Sequence, residues 1–180
     1  MRRRFSIFIY FVTVAILAVV QTSFFPEFII WKIKPDLVLL FAISAGLLKG
    51  YREGALVGII GGVMTGLVSW NPWGIYILGY SLAGFIAGAL TEKIEPDNIV
   101  VPLISSVIGS IIFTVVLVSI SLIFEFFNLE ITDLYNMLYF AIWNAVFMLP
   151  VYFISRYVLI PPGRELDLSG ALKGSNYTIQ

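Results

Sequence analysis

Cysteine and histidine are both absent from this chain of 180 residues. Without cysteine there is no disulfide framework and no thiol nucleophile, and nothing marks the redox state of the compartment. Without histidine the commonest general base and the commonest metal ligand are missing. Charge is scarce too: 12% of the residues are charged, against about 25% in an average soluble domain. The 11 basic and 11 acidic residues cancel, so net charge points to no acidic or basic partner, and no nucleic acid is expected. No phosphate loop, zinc spacing, nucleophile elbow or dinucleotide fingerprint occurs, and no GK[ST] follows the glycines. The reading is therefore a protein that is not an enzyme, with no cofactor and no metal site.

What the chain has in abundance is apolar residues, 59% of the total, with a mean hydropathy of +0.97. That composition defines an all-α integral membrane protein. A helix needs about 20 apolar residues to cross a bilayer, and the sequence divides into six such runs. They cover residues 5–25, 36–48, 54–69, 74–90, 99–124 and 134–159, with the second unusually short. The start, Met1-Arg2-Arg3-Arg4 before an apolar run, is like that of a signal peptide. The run is too long for one, however, and ends in Gln21-Thr22-Ser23 with no A-x-A site, so an uncleaved first span is expected. Lys49, Arg52 and Glu53 read as a charged turn, and Pro150 is expected to kink the last span. Residues 1–160 form the membrane domain, and residues 161–180, poor in large apolar side chains, read as a flexible cytoplasmic tail.

Basic residues set the orientation. Arg2, Arg3, Arg4, Lys49, Arg52, Lys93, Arg156, Arg164 and Lys173 fall on the side of the N-terminus, and only Lys32 and Lys34 on the other. Both termini are then cytoplasmic, which requires an even number of spans. In this reading the span interiors carry no charge: Glu125 lies at an outer helix end, and Glu130 and Asp133 lie in the loop after it. Proton-coupled and ion-coupled transporters keep an ionisable residue at membrane depth, so the absence argues against a pump.

Glycine recurs every fourth residue at Gly54, Gly58, Gly62 and Gly66, and more loosely at Gly84 and Gly88. Four-residue spacing puts the first four in one row on a helix. In lipid such a row lets another helix backbone approach closely. It serves either the packing of spans three and four or a partner's helix, including a second copy of the chain in a homodimer. Leucine in the middle of the row is expected to be severe and alanine milder. Ser106, Ser110 and Thr114 repeat at the same spacing in span five, where hydroxyls commonly bond back to their own helix. Asn144, a lone amide inside span six, needs a partner there, in an interhelical hydrogen bond or a ligand contact. Gln21 and Thr22, near the outer end of span one, are expected to be wetted by headgroups and water, or else to hold a small solute.

Several of these residues together resemble the rod shape-determining protein MreD family. The likeness rests on Gln21-Thr22-Ser23, then Pro35-Asp36-Leu37 opening span two, then Gly50 and Arg52-Glu53-Gly54. Gly58, Gly62, Gly74, Asn144 and Pro150 follow in the family's order, and the likeness covers roughly residues 5–160. The family commonly has an acidic residue eight positions before the glycine that opens span four. Here that position is Gly66, so no role of that carboxylate carries over. The resemblance implies an inner-membrane subunit of the bacterial cell-elongation machinery, supporting peptidoglycan synthesis along the lateral wall. Its implied partners are MreC, with one span, then RodA, a class B penicillin-binding protein and MreB. It also implies a fold similar to the S components of energy-coupling-factor transporters, which supplies the alternative function, a vitamin-binding S component. For that alternative Tyr76, Tyr80 and Trp143 are the residues able to stack a ring.

Overall fold

The computed structural model describes residues 2–23, 34–69, 73–91, 99–124 and 131–160. Among them are six helices and no strand: α1 (Arg2–Ser23), α2 (Leu37–Lys49), α3 (Tyr51–Ser69), α4 (Trp73–Thr91), α5 (Val100–Phe124) and α6 (Ile131–Leu159). Helices are the form an apolar chain must take in lipid, because each satisfies its own backbone hydrogen bonds. Three are long and apolar enough to cross a membrane on composition alone, over Trp73–Leu90, Val100–Phe124 and Tyr135–Leu159. The last continues as one helix through Pro150. The segment 161–180 lies outside the described residues.

The helix α2 is the axis of the bundle. It packs against each of the other five, and every residue from Leu37 to Leu47 is buried. A helix that is apolar all round belongs inside a core, and LVLLFAISAGLL has no polar face to offer. Its 13 residues make about 20 Å of helix, short of a hydrocarbon layer of about 30 Å. It does not cross lipid on its own. Protein surrounds it, so its ends find partners inside the bundle.

Where a charged turn was expected between the second and third spans, both helices run on to Gly50 alone. Lys49 closes α2, and Arg52 and Glu53 lie in the first turn of α3. Gly50 has φ 92° and ψ 172°, a backbone region open to glycine and hardly to any other residue. Its N–H donates to the Gly46 carbonyl at 2.8 Å, and its carbonyl accepts from Gly54 at 3.1 Å, so Gly50 belongs to the hydrogen-bond ladders of both helices. A Cβ on Gly50 would touch nothing within 4 Å. Gly50→Ala therefore isolates backbone strain, and it should lower stability by about 1–3 kcal/mol, read by thermal unfolding in mild detergent.

The charged groups beside this joint gather around α1. Lys49 donates to the Tyr10 hydroxyl at 3.1 Å and lies over its ring. The Tyr10 hydroxyl also bonds Glu53. One tyrosine thereby ties the end of α2 and the start of α3 to α1.

Candidate functional site

Pro35-Asp36-Leu37 builds the centre of the molecule. Proline has no N–H to leave unsatisfied and biases the chain against continuing as helix. Asp36 follows with φ −100° and ψ 90° and caps α2, its Oδ1 accepting from the Leu39 N–H at 3.0 Å. The first turn of any helix leaves backbone N–H groups without partners, and here other helices supply them. The Asp36 N–H donates to Asn144 Oδ1 of α6 at 2.8 Å, and the Leu37 N–H donates to Gln21 Oε1 of α1 at 3.0 Å. From α4, the Tyr80 hydroxyl donates to Asp36 Oδ2. Asn144 Nδ2 donates in turn to Ser110 Oγ of α5 at 2.8 Å, and Ser110 donates to the Ser106 carbonyl. Thr65 of α3, also buried, faces Tyr80. Each of the six helices contributes a group to one polar cluster. Gln21, Asp36, Thr65, Tyr80, Ser110 and Asn144 are all at most 8% exposed.

The depth of this cluster overturns the expectation that no charge lies inside the spans. Tyr80, Ser110 and Asn144 each fall within two residues of the centre of their helix. Asp36, bonded directly to two of them, lies at that level too. The sequence pattern suggested otherwise because an acidic residue opening a span reads as an interfacial cap. It is internal here because α2 is shorter than its neighbours. An ionisable side chain at such a depth is a functional-site candidate by default.

The candidate residues from the sequence fall into two groups. Gln21 and Asn144 come together on the first turn of α2. Gln21 is buried in protein contacts, in place of the wetted headgroup position expected for it, because the α2 N-terminus needs its acceptor. Thr22 lies in α1, and its side chain is outside the described residues. The glycines form the second group, and α4 occupies the row. A Cβ on Gly54 would lie closer than 3.0 Å to the Gly84 carbonyl, and one on Gly58 equally close to the backbone of Tyr80 and Ser81. Gly62 meets Ile77 and Tyr76 in the same way, Gly66 meets Trp73, and Gly88 meets the backbone of Tyr51. Gly46 of α2, which the row did not reveal, completes a three-helix contact with Gly54 and Gly84. Only its position near the end of a neighbouring apolar run could have drawn attention to it.

Asp36, Tyr80 and Thr65 are the functional candidates that reading the sequence passed over. Asp36 entered only as part of the P-D-L resemblance. Tyr80 was noticed for its ring, and the ring is part of a filled aromatic cluster. Tyr76, Tyr80 and Phe113 touch one another, and Phe113 touches Phe140, with centroids 5.2–5.9 Å apart. Trp143 pairs with Phe147 instead. Among the described residues no group of three or more acidic side chains is placed to hold a metal ion.

The architecture is that of a helical integral membrane protein organised around an internal polar knot at the start of its central helix. The chain matches the family model for rod shape-determining protein MreD over residues 1–158, and it belongs to that family. No curated protein matches it, and no solved structure does. Membership makes it a membrane protein of rod-shape determination, in a family that is not one of known enzymes.

Proposed function

We propose that the chain is a non-enzymatic subunit of the cell-elongation machinery in the bacterial inner membrane. It binds an MreC-like single-span protein and through that complex acts with RodA, a class B penicillin-binding protein and MreB. In this role it supports peptidoglycan synthesis along the lateral wall. The observation that carries the reading is the family match, which runs through all six helices. The chemistry of the interior is in keeping with it: the described polar groups at the centre, the Thr65 hydroxyl apart, bond to one another and hold the bundle together. The outward faces of α5 and α6, with Ile104, Ile111, Val115, Leu138, Ile142 and Val146, suit lipid and the helices of membrane partners. Because α4 fills the glycine row, a partner's helix, or a second copy of the chain, docks on other faces.

Extraction in mild detergent followed by co-purification tests this reading. A single-span protein with an extracytoplasmic coiled coil should come with the chain. Recovery of an ATPase module in its place would overturn it and favour a vitamin-capture subunit.

The orientation belongs to the same proposal. The excess of Lys and Arg on the N-terminal side puts both termini in the cytoplasm, with residues 161–180 as a cytoplasmic tail. A cytoplasm-active reporter fused at Gln180 should be active, and one placed between α5 and α6 inactive. The reverse pattern would sink the topology.

A further inference from the structure

Three groups follow one another through the buried cluster, from the start of α2 through α4 to α3. The Tyr80 hydroxyl donates to Asp36 Oδ2, and on its other side it faces the Thr65 hydroxyl. Thr65 is 6% exposed, and its hydroxyl meets no partner at regular hydrogen-bond geometry. A buried hydroxyl left in that state is rare and calls for an explanation.

Among the described residues, the groups that meet Asp36 are neutral. Gln21 reaches it from α1, the Val38 and Leu39 N–H groups from its own helix, and Tyr80 from α4. Asn144 of α6 bonds its backbone N–H, and Ser110 of α5 bonds Asn144. Among the described residues, the titratable groups that act on Tyr80 are Asp36 and, behind it, Tyr76. None of the bonds that Asp36 makes is to a lysine or arginine.

A carboxylate only accepts hydrogen bonds, whereas a carboxylic acid has one O–H to give. With Asp36 ionised, Tyr80 donates to Oδ2, and the Thr65 hydroxyl is free to turn toward the Tyr80 oxygen. With a proton on Oδ2, the carboxyl donates to the Tyr80 oxygen and the Tyr80 O–H turns to Thr65 Oγ. The second arrangement needs two hydroxyl rotations and a small adjustment that brings the Thr65 and Tyr80 oxygens into regular hydrogen-bond geometry. Without Thr65 it would strand the Tyr80 O–H as a buried donor.

We propose that Asp36, Tyr80 and Thr65 form a reversible proton-binding site inside the membrane bundle, the proton residing on Asp36 Oδ2 and Thr65 completing the protonated state. Hydrogen bonds to an ionised acceptor are about twice as strong as neutral ones. Loss of the proton therefore tightens the tie between the start of α2 and α4, and uptake loosens it. The site goes beyond the proposed role in cell elongation and does not depend on it.

Infrared difference spectroscopy of the full chain in lipid, titrated from about pH 4 to 9, reads the site through the C=O stretch of a buried protonated carboxyl. The band should disappear as the pH rises and be missing from Asp36→Asn throughout. Tyr80→Phe removes the charge-assisted donor from the ionised form and should move the disappearance about one pH unit upward. Thr65→Val removes the acceptor from the protonated form and should move it downward. Absence of any band that Asp36→Asn removes would overturn the proposal, as would a band unchanged across the titration. A transition that neither variant moves would overturn the role of Tyr80 and Thr65. Both substitutions nearly preserve shape, and if Tyr80→Phe is not recovered folded, Thr65→Val decides alone.

Discussion

Gly62→Leu should abolish recovery of folded protein, and Gly62→Ala should come close behind it. The ideal Cβ at this position lies closer than 3.0 Å to the backbone of Ile77 and Tyr76. A flexible side chain can swing away from an intruding methyl. The backbone of a packed helix has to move as a whole. Overpacking typically costs about 1–3 kcal/mol and at times more. Little offsets that loss in a bilayer, since lipid tails are as apolar as the helices they would replace. From the sequence alone alanine was expected to be milder than leucine. The obstacle begins at the first carbon. Gly74 is the control, because a Cβ there meets nothing within 4 Å. Gly74→Ala should be neutral or stabilising by up to about 1 kcal/mol, alanine being the better helix former. Thermal unfolding and expression yield measure all three. A Gly62→Leu protein with wild-type stability would show that α3 and α4 do not meet along this row.

Asp36→Ala should lower stability by about 2–4 kcal/mol. Loss of an N-cap side chain accounts for about 1 kcal/mol of this. Stranding the buried Tyr80 hydroxyl, which donates to Asp36, adds about 1–3 kcal/mol. Asp36→Asn keeps an oxygen for the Leu39 N–H and should cost less than half as much. The double variant Asp36→Ala/Tyr80→Phe separates the two contributions. Once Tyr80 has no hydroxyl, removal of Asp36 strands nothing, so the two losses should fall short of additivity by about 1 kcal/mol, within the range seen for membrane helices. Strict additivity would mean that the hydrogen bond between them contributes nothing. A loss in Asp36→Ala below about 1 kcal/mol would reduce Asp36 to an ordinary cap.

Both results bear on how the chain is held together. In water, burial of apolar surface would dominate the account. In a bilayer, close backbone contact and satisfied polar groups take its place. This chain concentrates the two on different sides of α2. Gly46, Gly54 and Gly84 bring three backbones together near its C-terminal end. The Asp36 cluster binds its N-terminal end to α1, α4 and α6.

Composition and pattern alone determined that the chain is a helical membrane protein, where its helices lie and which family it resembles. These properties are local: hydropathy over some twenty residues decides insertion, and a four-residue glycine spacing defines one helix face wherever the helix goes. The helix starts show the limits of that locality, since Lys49, Arg52 and Glu53 looked like a turn and belong to helices joined by Gly50 alone. Only the tertiary structure decided which surface the glycine row meets, because a smooth groove accepts any backbone and α4 is the one that fills it. It also decided the place of Asp36. An aspartate at the start of an apolar run is a surface cap if the helix spans the bilayer, and an internal anchor if the helix is short and enclosed. Gln21, Tyr80, Ser110 and Asn144 are separated from it, and mostly from one another, by long stretches of chain. Each looks like an isolated polar residue in its own segment. They form a site because five other helices enclose α2, and hydrogen-bond satisfaction in a medium without water forces their few polar groups to converge on the one helix end that needs them.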